Sequence, residues 1–251
     1  ALRAYNNGPR HILSIPTSDG SGGIDLIKRI LSLLFAATLL SAVSPAASAA
    51  GEEVALSLSC PSAVLMEKET GAILYDQNAH QQLEPASVTK VMTLLLVMEA
   101  VDSGRVALDD TVTVSSYAAG MGGSQVYLEE GEQMTVDEMI KCVTVVSGND
   151  CAVALAEHLA GSETAFVAQM NQRARELGME DTTFLNCTGL PAQGHVTSAY
   201  DIALMSRELI LNHPAIRDYA TIWMDSIRGG EFGLTNTNRL IRFYPGATGL
   251  K

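Results

Sequence analysis

Pro85-Ala86-Ser87-Val88-Thr89-Lys90 leads directly into Val91-Met92-Thr93-Leu94-Leu95-Leu96-Val97-Met98. The second stretch is apolar almost throughout, so it reads as a buried helix opening at or near Ser87. Residues i and i+3 share a helix face. Ser87 and Lys90 are therefore expected side by side at a helix N-terminus, where backbone N–H groups point outward. A hydroxyl beside an amine, close to such donors, is an arrangement for nucleophilic catalysis. The S-x-x-K spacing alone recurs by chance, and an N-cap serine with a solvated lysine produces it too.

The surrounding chain narrows the choice. With 251 residues, 47% hydrophobic and 18% charged, it is long and apolar enough for one or two domains with a packed core. The net charge is −12, and no basic cluster follows an aromatic pattern, so nucleic acid is not an expected partner. Four cysteines, Cys60, Cys142, Cys151 and Cys187, form no C-x-x-C pair, which gives no zinc or redox motif. Cys142 and Cys151 lie in apolar helical patterns, where a buried thiol is the default; a disulfide after export is the alternative. No metal and no cofactor is expected.

Upstream, residues 1 to about 23 show no apolar periodicity. Lys28-Arg29 precede an apolar run from Ile30 to about Val43, and Ala47-Ser48-Ala49 forms an A-x-A site. These are the three parts of a secretory leader, and the run is short for a membrane span. Residues 1–49 are read as an upstream extension plus signal peptide, and 50–251 as the exported domain. Without the leader, twelve basic residues face twenty-six acidic ones, a net charge of −14.

Within the exported part, Ala63-Val64-Leu65-Met66 and Ala72-Ile73-Leu74-Tyr75 flank a turn and predict a hairpin. The helix from Ser87 is expected to reach about Val101 and to end at Ser103-Gly104. A loop-rich stretch follows. Thr135-Val136-Asp137-Glu138 is a capping-box start for a helix to about Val146. A break at Ser147-Gly148-Asn149-Asp150 separates it from another helix, Cys151 to Ala160. Ser162 and Ser198 cap two more. Ile222–Arg228 and Glu231–Thr235, joined by Gly229-Gly230, predict a second hairpin. Strands at both ends around inserted helices predict an α+β fold, with one antiparallel sheet built from both ends of the chain.

The break at Ser147-Gly148-Asn149 presents two polar side chains on a rigid turn, and Thr248-Gly249-Leu250-Lys251 places a lysine after a strand-like region. Ser87-Val88-Thr89-Lys90, Ser147-Gly148-Asn149 and Lys251 together resemble the S-x-x-K, S-x-N and K-T-G series of penicillin-binding proteins and serine β-lactamases. More narrowly, Glu84 to Lys90, Ser147 to Asp150, Asn186-Cys187-Thr188-Gly189-Leu190, His195 to Asp201 and Gly246 to Lys251 resemble the low-molecular-mass D-alanyl-D-alanine carboxypeptidases. The resemblance covers roughly residues 60–251. It implies a β-lactamase/transpeptidase-like fold with a helical subdomain inserted in the sheet. It implies Ser87 as nucleophile, Lys90 as base, Ser147 as proton relay, and Asn149 and Lys251 as substrate-binding residues. It implies a peptidoglycan stem peptide ending in D-Ala-D-Ala as substrate, β-lactams as covalent inhibitors, and action in the bacterial cell envelope.

The third motif of that family continues with Thr and Gly, whereas this sequence stops at Lys251. On that reading the chain is truncated and its C-terminal strands are missing. One oxyanion N–H and a C-terminal membrane anchor are lost with them. Residues 50–251 alone are then expected to fold poorly and to be inactive, and the membrane is reached only through the leader or the missing anchor.

Two rivals remain. A class A-like β-lactamase needs a glutamate to activate the deacylating water. Glu208-Leu209-Ile210-Leu211-Asn212 matches its E-x-x-L-N pattern but falls inside a helix-periodic segment, so it reads as a decoy. A non-catalytic penicillin-sensing domain usually follows several membrane spans, and only a leader precedes this one. No histidine pairs with Ser87 in a motif, which argues against a Ser-His-Asp triad; His195 reads as a structural loop residue.

Overall fold

The computed structural model describes Leu56 and residues 58–250. The chain divides into two units, Ala1–Leu56 and Ser57–Lys251, and the architecture below is that of the second. The expected leader and Lys251 lie outside the described residues. Among those described, no helix is long and apolar enough to cross a membrane.

Helix α1 (Lys90–Asp102) is the centre of the unit. Nine of its residues from Val91 to Ala100 are buried, and only Glu99 among them is partly exposed. A helix apolar on every side has to be enclosed. Helices α3 (Val136–Val145), α4 (Asn149–Ala160), α5 (Glu163–Glu176) and α6 (Ala199–Asn212) surround it. Fully burying each large side chain such as Leu94, Leu95 or Met98 contributes about 2 kcal/mol.

The sequence-derived start signals hold. Thr135 and Glu138 form a reciprocal capping box on α3. Ser162 accepts the Ala165 N–H on α5, and Ser198 accepts the Asp201 N–H on α6. One boundary differs in a useful way: α4 begins at Asn149 rather than Cys151, so the second motif is itself the helix start.

Both expected hairpins are present. Strands β1 (Ala63–Met66) and β2 (Ile73–Gln77) pair antiparallel, with Leu65 opposite Tyr75. Their turn is organised by the Glu67 carboxylate, which accepts the Glu69 and Thr70 N–H groups and the Thr70 hydroxyl. Strands β5 (Met224–Ile227) and β6 (Phe232–Thr235) form the other hairpin. The stretch read as loop-rich contains a further ribbon, β3 (Thr111–Thr113) with β4 (Gln133–Thr135), and a short helix α2 (Ser116–Ala119). Short helices α7 (Ile216–Ala220) and α8 (Leu240–Phe243) flank the second hairpin. The fold is α+β as expected. Among the described residues the strands from the two ends remain in separate two-stranded ribbons. All four cysteines are free thiols; Cys142, Cys151 and Cys187 are buried and Cys60 is exposed.

Because the α3 cap joins two side chains to two backbone groups, Thr135→Ala should cost about 1 kcal/mol, read as a lower urea midpoint with unchanged slope. An unchanged midpoint would mean that the box contributes nothing to the fold.

Candidate active site

The first motif does not open an α-helix directly. Ala86–Thr89 form a single 3-10 turn that runs into α1 at Lys90. In a 3-10 turn residues i and i+3 eclipse, so Ser87 and Lys90 project from one edge even more directly than in an α-helix. Ala86 sits at φ 44°, in the left-handed region that side chains rarely adopt. The reason is a close approach from another segment. Gly189 (φ +83°) lies so near that a Cβ there would be 1.8 Å from the Ala86 carbonyl oxygen and 3.0 Å from the Ser87 nitrogen.

The loop that brings Gly189 there is built by one side chain. Asn186 Oδ1 accepts the N–H groups of Thr188 and Gly189 and the Thr188 hydroxyl, and its Nδ2 donates to the Leu190 carbonyl. This Asx-type turn leaves two carbonyls facing α1. Thr93 Oγ1 donates to the Cys187 carbonyl at 2.7 Å, and Lys90 Nζ donates to the Thr188 carbonyl at 2.7 Å. Glu163, at the start of α5, accepts the Cys187 N–H and holds the loop from behind.

Lys90 is fully buried. Burial lowers its pKa from 10.5 to about 8, with Cys187 and Asp150 acting weakly in the other direction. A neutral amine keeps its donor bond to Thr188 and gains a lone pair. At pH 7 roughly one molecule in ten carries it, against about one in several thousand for an unshifted lysine.

The second motif closes the other side. Ser147 lies in the break between α3 and α4 at φ 65°, another strained non-glycine. Its hydroxyl is buried and has no hydrogen-bond partner among the described residues. A buried hydroxyl without a partner costs about 1–3 kcal/mol, a cost met at sites kept for a reacting group. Asn149 Nδ2 donates to the Gly122 carbonyl at 2.6 Å, so the acceptor Oδ1 is the end left for another group. Gly123 packs between Asn149 and Leu190: a Cβ there would be 2.8 Å from Asn149 Nδ2 and 3.6 Å from Leu190 Cδ2. Ser87, Gly189, Leu190, Gly123 and Asn149 thus form a continuous line of contacts, which brings the first two motifs to one place.

Asp150 fixes that line. It is fully buried, and its carboxylate accepts the N–H groups of Val126, Leu128 and Cys151. It pins the Ser124–Leu128 segment to the start of α4, where the helix dipole favours a negative charge. Thr188, Gly189, Asn186 and Asp150 were not singled out individually from sequence. An Asn three residues before a Gly was the available turn signal for three of them. His195 is buried at 2% exposure, bonded to Thr89 on one side and to the Leu185 N–H on the other.

A family model described as D-alanyl-D-alanine carboxypeptidase, peptidase family S11, matches residues 47–251. The chain belongs to that family. It is 47% identical to the D-alanyl-D-alanine carboxypeptidase DacF of Bacillus subtilis, over 90% of this chain and 59% of that one. Among solved structures it is similar to the D-alanyl-D-alanine carboxypeptidase DacD of Francisella tularensis, with a TM-score of 0.73 and 29% identity over 78% of this chain and 60% of that one. It is also similar to penicillin-binding protein D2 of Listeria monocytogenes in its ampicillin-bound form, with a TM-score of 0.66 and 30% identity over 74% and 76% of the two chains. The chain therefore spans about three fifths of the length of the first two. Membership carries the transpeptidase-like fold with it.

Glu208, the glutamate of the E-x-x-L-N pattern, falls inside a regular helix, as its period predicts. It lies in α6, with Oε1 bonded to Arg173 and Oε2 to Asn212. Glu99, Glu208 and His213 also place ligand-type atoms within 4.8 Å of one another. The Arg173 guanidinium already joins Glu99 to Glu208 there, so a cation of the protein's own occupies the cluster.

The contact at Gly189 predicts a large effect from a small change. Gly189→Ala should lower the urea midpoint by the equivalent of about 3 kcal/mol or more, because both backbones would have to move. A variant as stable as the parent would show that the two segments do not meet this closely.

Proposed function

We propose that the protein is a serine-type D-Ala-D-Ala carboxypeptidase, in which Ser87 attacks the carbonyl between the two terminal D-alanines of a peptidoglycan stem peptide. One observation carries the reading: a fully buried lysine, its pKa lowered to about 8, one 3-10 turn from a half-exposed serine. A buried lysine of that kind is costly in a fold and useful as a base.

In the proposed cycle neutral Lys90 takes the Ser87 hydroxyl proton as Oγ attacks. The oxyanion is received by the Ser87 N–H, which lies in the first turn of the 3-10 helix without an intrahelical carbonyl. Ser147, whose hydroxyl has no other partner among the described residues, relays a proton to the departing D-alanine nitrogen. Asn149 Oδ1 receives the Lys90 ammonium or a substrate N–H. Lys251 is assigned the substrate carboxylate, by resemblance to the third motif. Water then hydrolyses the acyl-enzyme, with Lys90 again accepting a proton. No cofactor or metal takes part.

β-Lactams are the expected covalent inhibitors, a reading supported by the ampicillin-bound Listeria relative. The enzyme is assigned to the extracytoplasmic face of a bacterial envelope, reached through the leader in residues 1–49. Release of the acyl group is expected to be slow, because one Glu208 oxygen is engaged by Arg173 of α5 and the other by Asn212 of α6, so that this carboxylate does not offer a base for rapid deacylation. That separates this reading from a β-lactamase.

In the full-length protein, Ser87→Ala should abolish retention of a labelled penicillin, and label persisting on the variant would sink the assignment. The parent should be labelled faster as pH rises, levelling above about 8 as Lys90 loses its proton. A rate independent of pH between 6 and 9 would exclude Lys90 as the base.

A further inference from the structure

His195 has a different partner on each ring nitrogen. The Leu185 N–H donates to Nδ1 at 3.0 Å, and a backbone N–H can only donate. Nδ1 therefore carries the lone pair and Nε2 the proton, which goes to Thr89 Oγ1 at 2.8 Å. The ring is neutral in this arrangement. A second proton would set an N–H against the Leu185 N–H in a site that is 2% exposed, with the edge of Phe184 packed beside it.

The position of this pair matters more than its chemistry alone. Thr89 is the residue between Ser87 and Lys90 that faces inward, and it is fully buried. Leu185 opens the segment that carries Asn186 and Thr188. His195 thus ties the first-motif turn to the base of the loop whose carbonyl receives Lys90. The same segments are joined once more by the backbone, through Leu83 and Thr197, which exchange N–H···O bonds of 2.8 and 2.9 Å. Thr183 and Val196 pair in the same way at 2.9 and 3.1 Å. The backbone bridges hold the ribbon, and the imidazole is the side-chain link that reaches the turn itself.

We propose that His195 is a positioning residue for the Lys90 site: its neutral ring fastens the Ser87–Lys90 turn to the Asn186–Leu190 loop, and its protonation unfastens them. The proposal rests on the acylation reading above. The titratable group facing it is Glu84, on the segment bridged to Thr197. Burial lowers the pKa of the ring from 6.5, against the pull of the Glu84 carboxylate. A group with a lowered folded-state pKa stabilises the fold above its ordinary value, and that contribution is lost as pH falls below about 6.5. The acid side of the reaction then has two steps, one from Lys90 near 8 and one from His195 below 6.5.

The test follows labelling by a fluorescent penicillin from pH 4.5 to 9 in the full-length protein and in His195→Gln. A glutamine can donate to Thr89 and accept from Leu185 but does not titrate. The parent should lose rate with one proton below about 8 and with two once His195 titrates. His195→Gln should keep a single slope, and after matching at pH 7.5 it should exceed the parent by a factor that grows as the pH falls below 6.5. Superimposable profiles overturn the proposal. So does a change confined to the pH dependence of the thermal midpoint, which would leave His195 a purely structural residue. A parent that takes no label even at pH 8 removes the acylation reading and the proposal with it, a result distinct from unaltered pH dependence. A 15N NMR titration of the parent needs no variant. It should find Nδ1 unprotonated at pH 7 with a midpoint below 6.5, and an imidazolium at pH 7 refutes the proposal.

Discussion

The Lys90 amine is enclosed by protein on every side and donates to one carbonyl, that of Thr188. A folded-state pKa of about 8 against 10.5 means that the contribution of this one group to stability is greatest above pH 10.5 and falls by roughly 3 kcal/mol as the pH drops towards neutrality. That is a large share of a domain's net stability. It is tolerated because α1 is enclosed on all sides by α3, α4, α5 and α6. The same enclosure that makes the helix stable makes the charge at its first residue expensive. The lowered pKa of the amine is a consequence of where the core begins.

The remaining strain is concentrated around that point. Ala86 and Ser147, both non-glycine residues at positive φ, stand next to Ser87 and at the second motif. Each conformation costs about 1–3 kcal/mol. Each is held by a neighbour that cannot yield: Ala86 by the backbone at Gly189, and the Ser147–Asn149 turn by α3, α4 and the Asp150 carboxylate. Asn186 and Asp150 do parallel work. Each uses one side chain to satisfy several backbone N–H groups, and each thereby fixes a loop that no regular ladder holds.

The parts of this arrangement visible in sequence are those that leave a periodic or capping signature. Thr135 with Glu138, Ser162 and Ser198 mark helix starts, and Val91 to Met98 mark the central helix. The β3–β4 ribbon left no such trace, because three residues a side are too few for alternation to register. The partner of Lys90 was hidden for another reason. It is a backbone carbonyl, which every residue possesses, and only the Asn186 turn aims it at α1. His195 was legible as a loop residue, but its link to Thr89 spans 106 positions and no local pattern encodes it. The separation of the two end hairpins was equally invisible, since both carry ordinary hairpin signals.

The account depends on Lys90 being neutral at a pH where other lysines are charged. A 13C NMR titration of its ε-carbon in the full-length protein, assigned with Lys90→Met, measures that directly. A midpoint near 8 is the expected result. A midpoint near 10.5, the value of a solvated lysine, would contradict the burial on which the proposed chemistry rests.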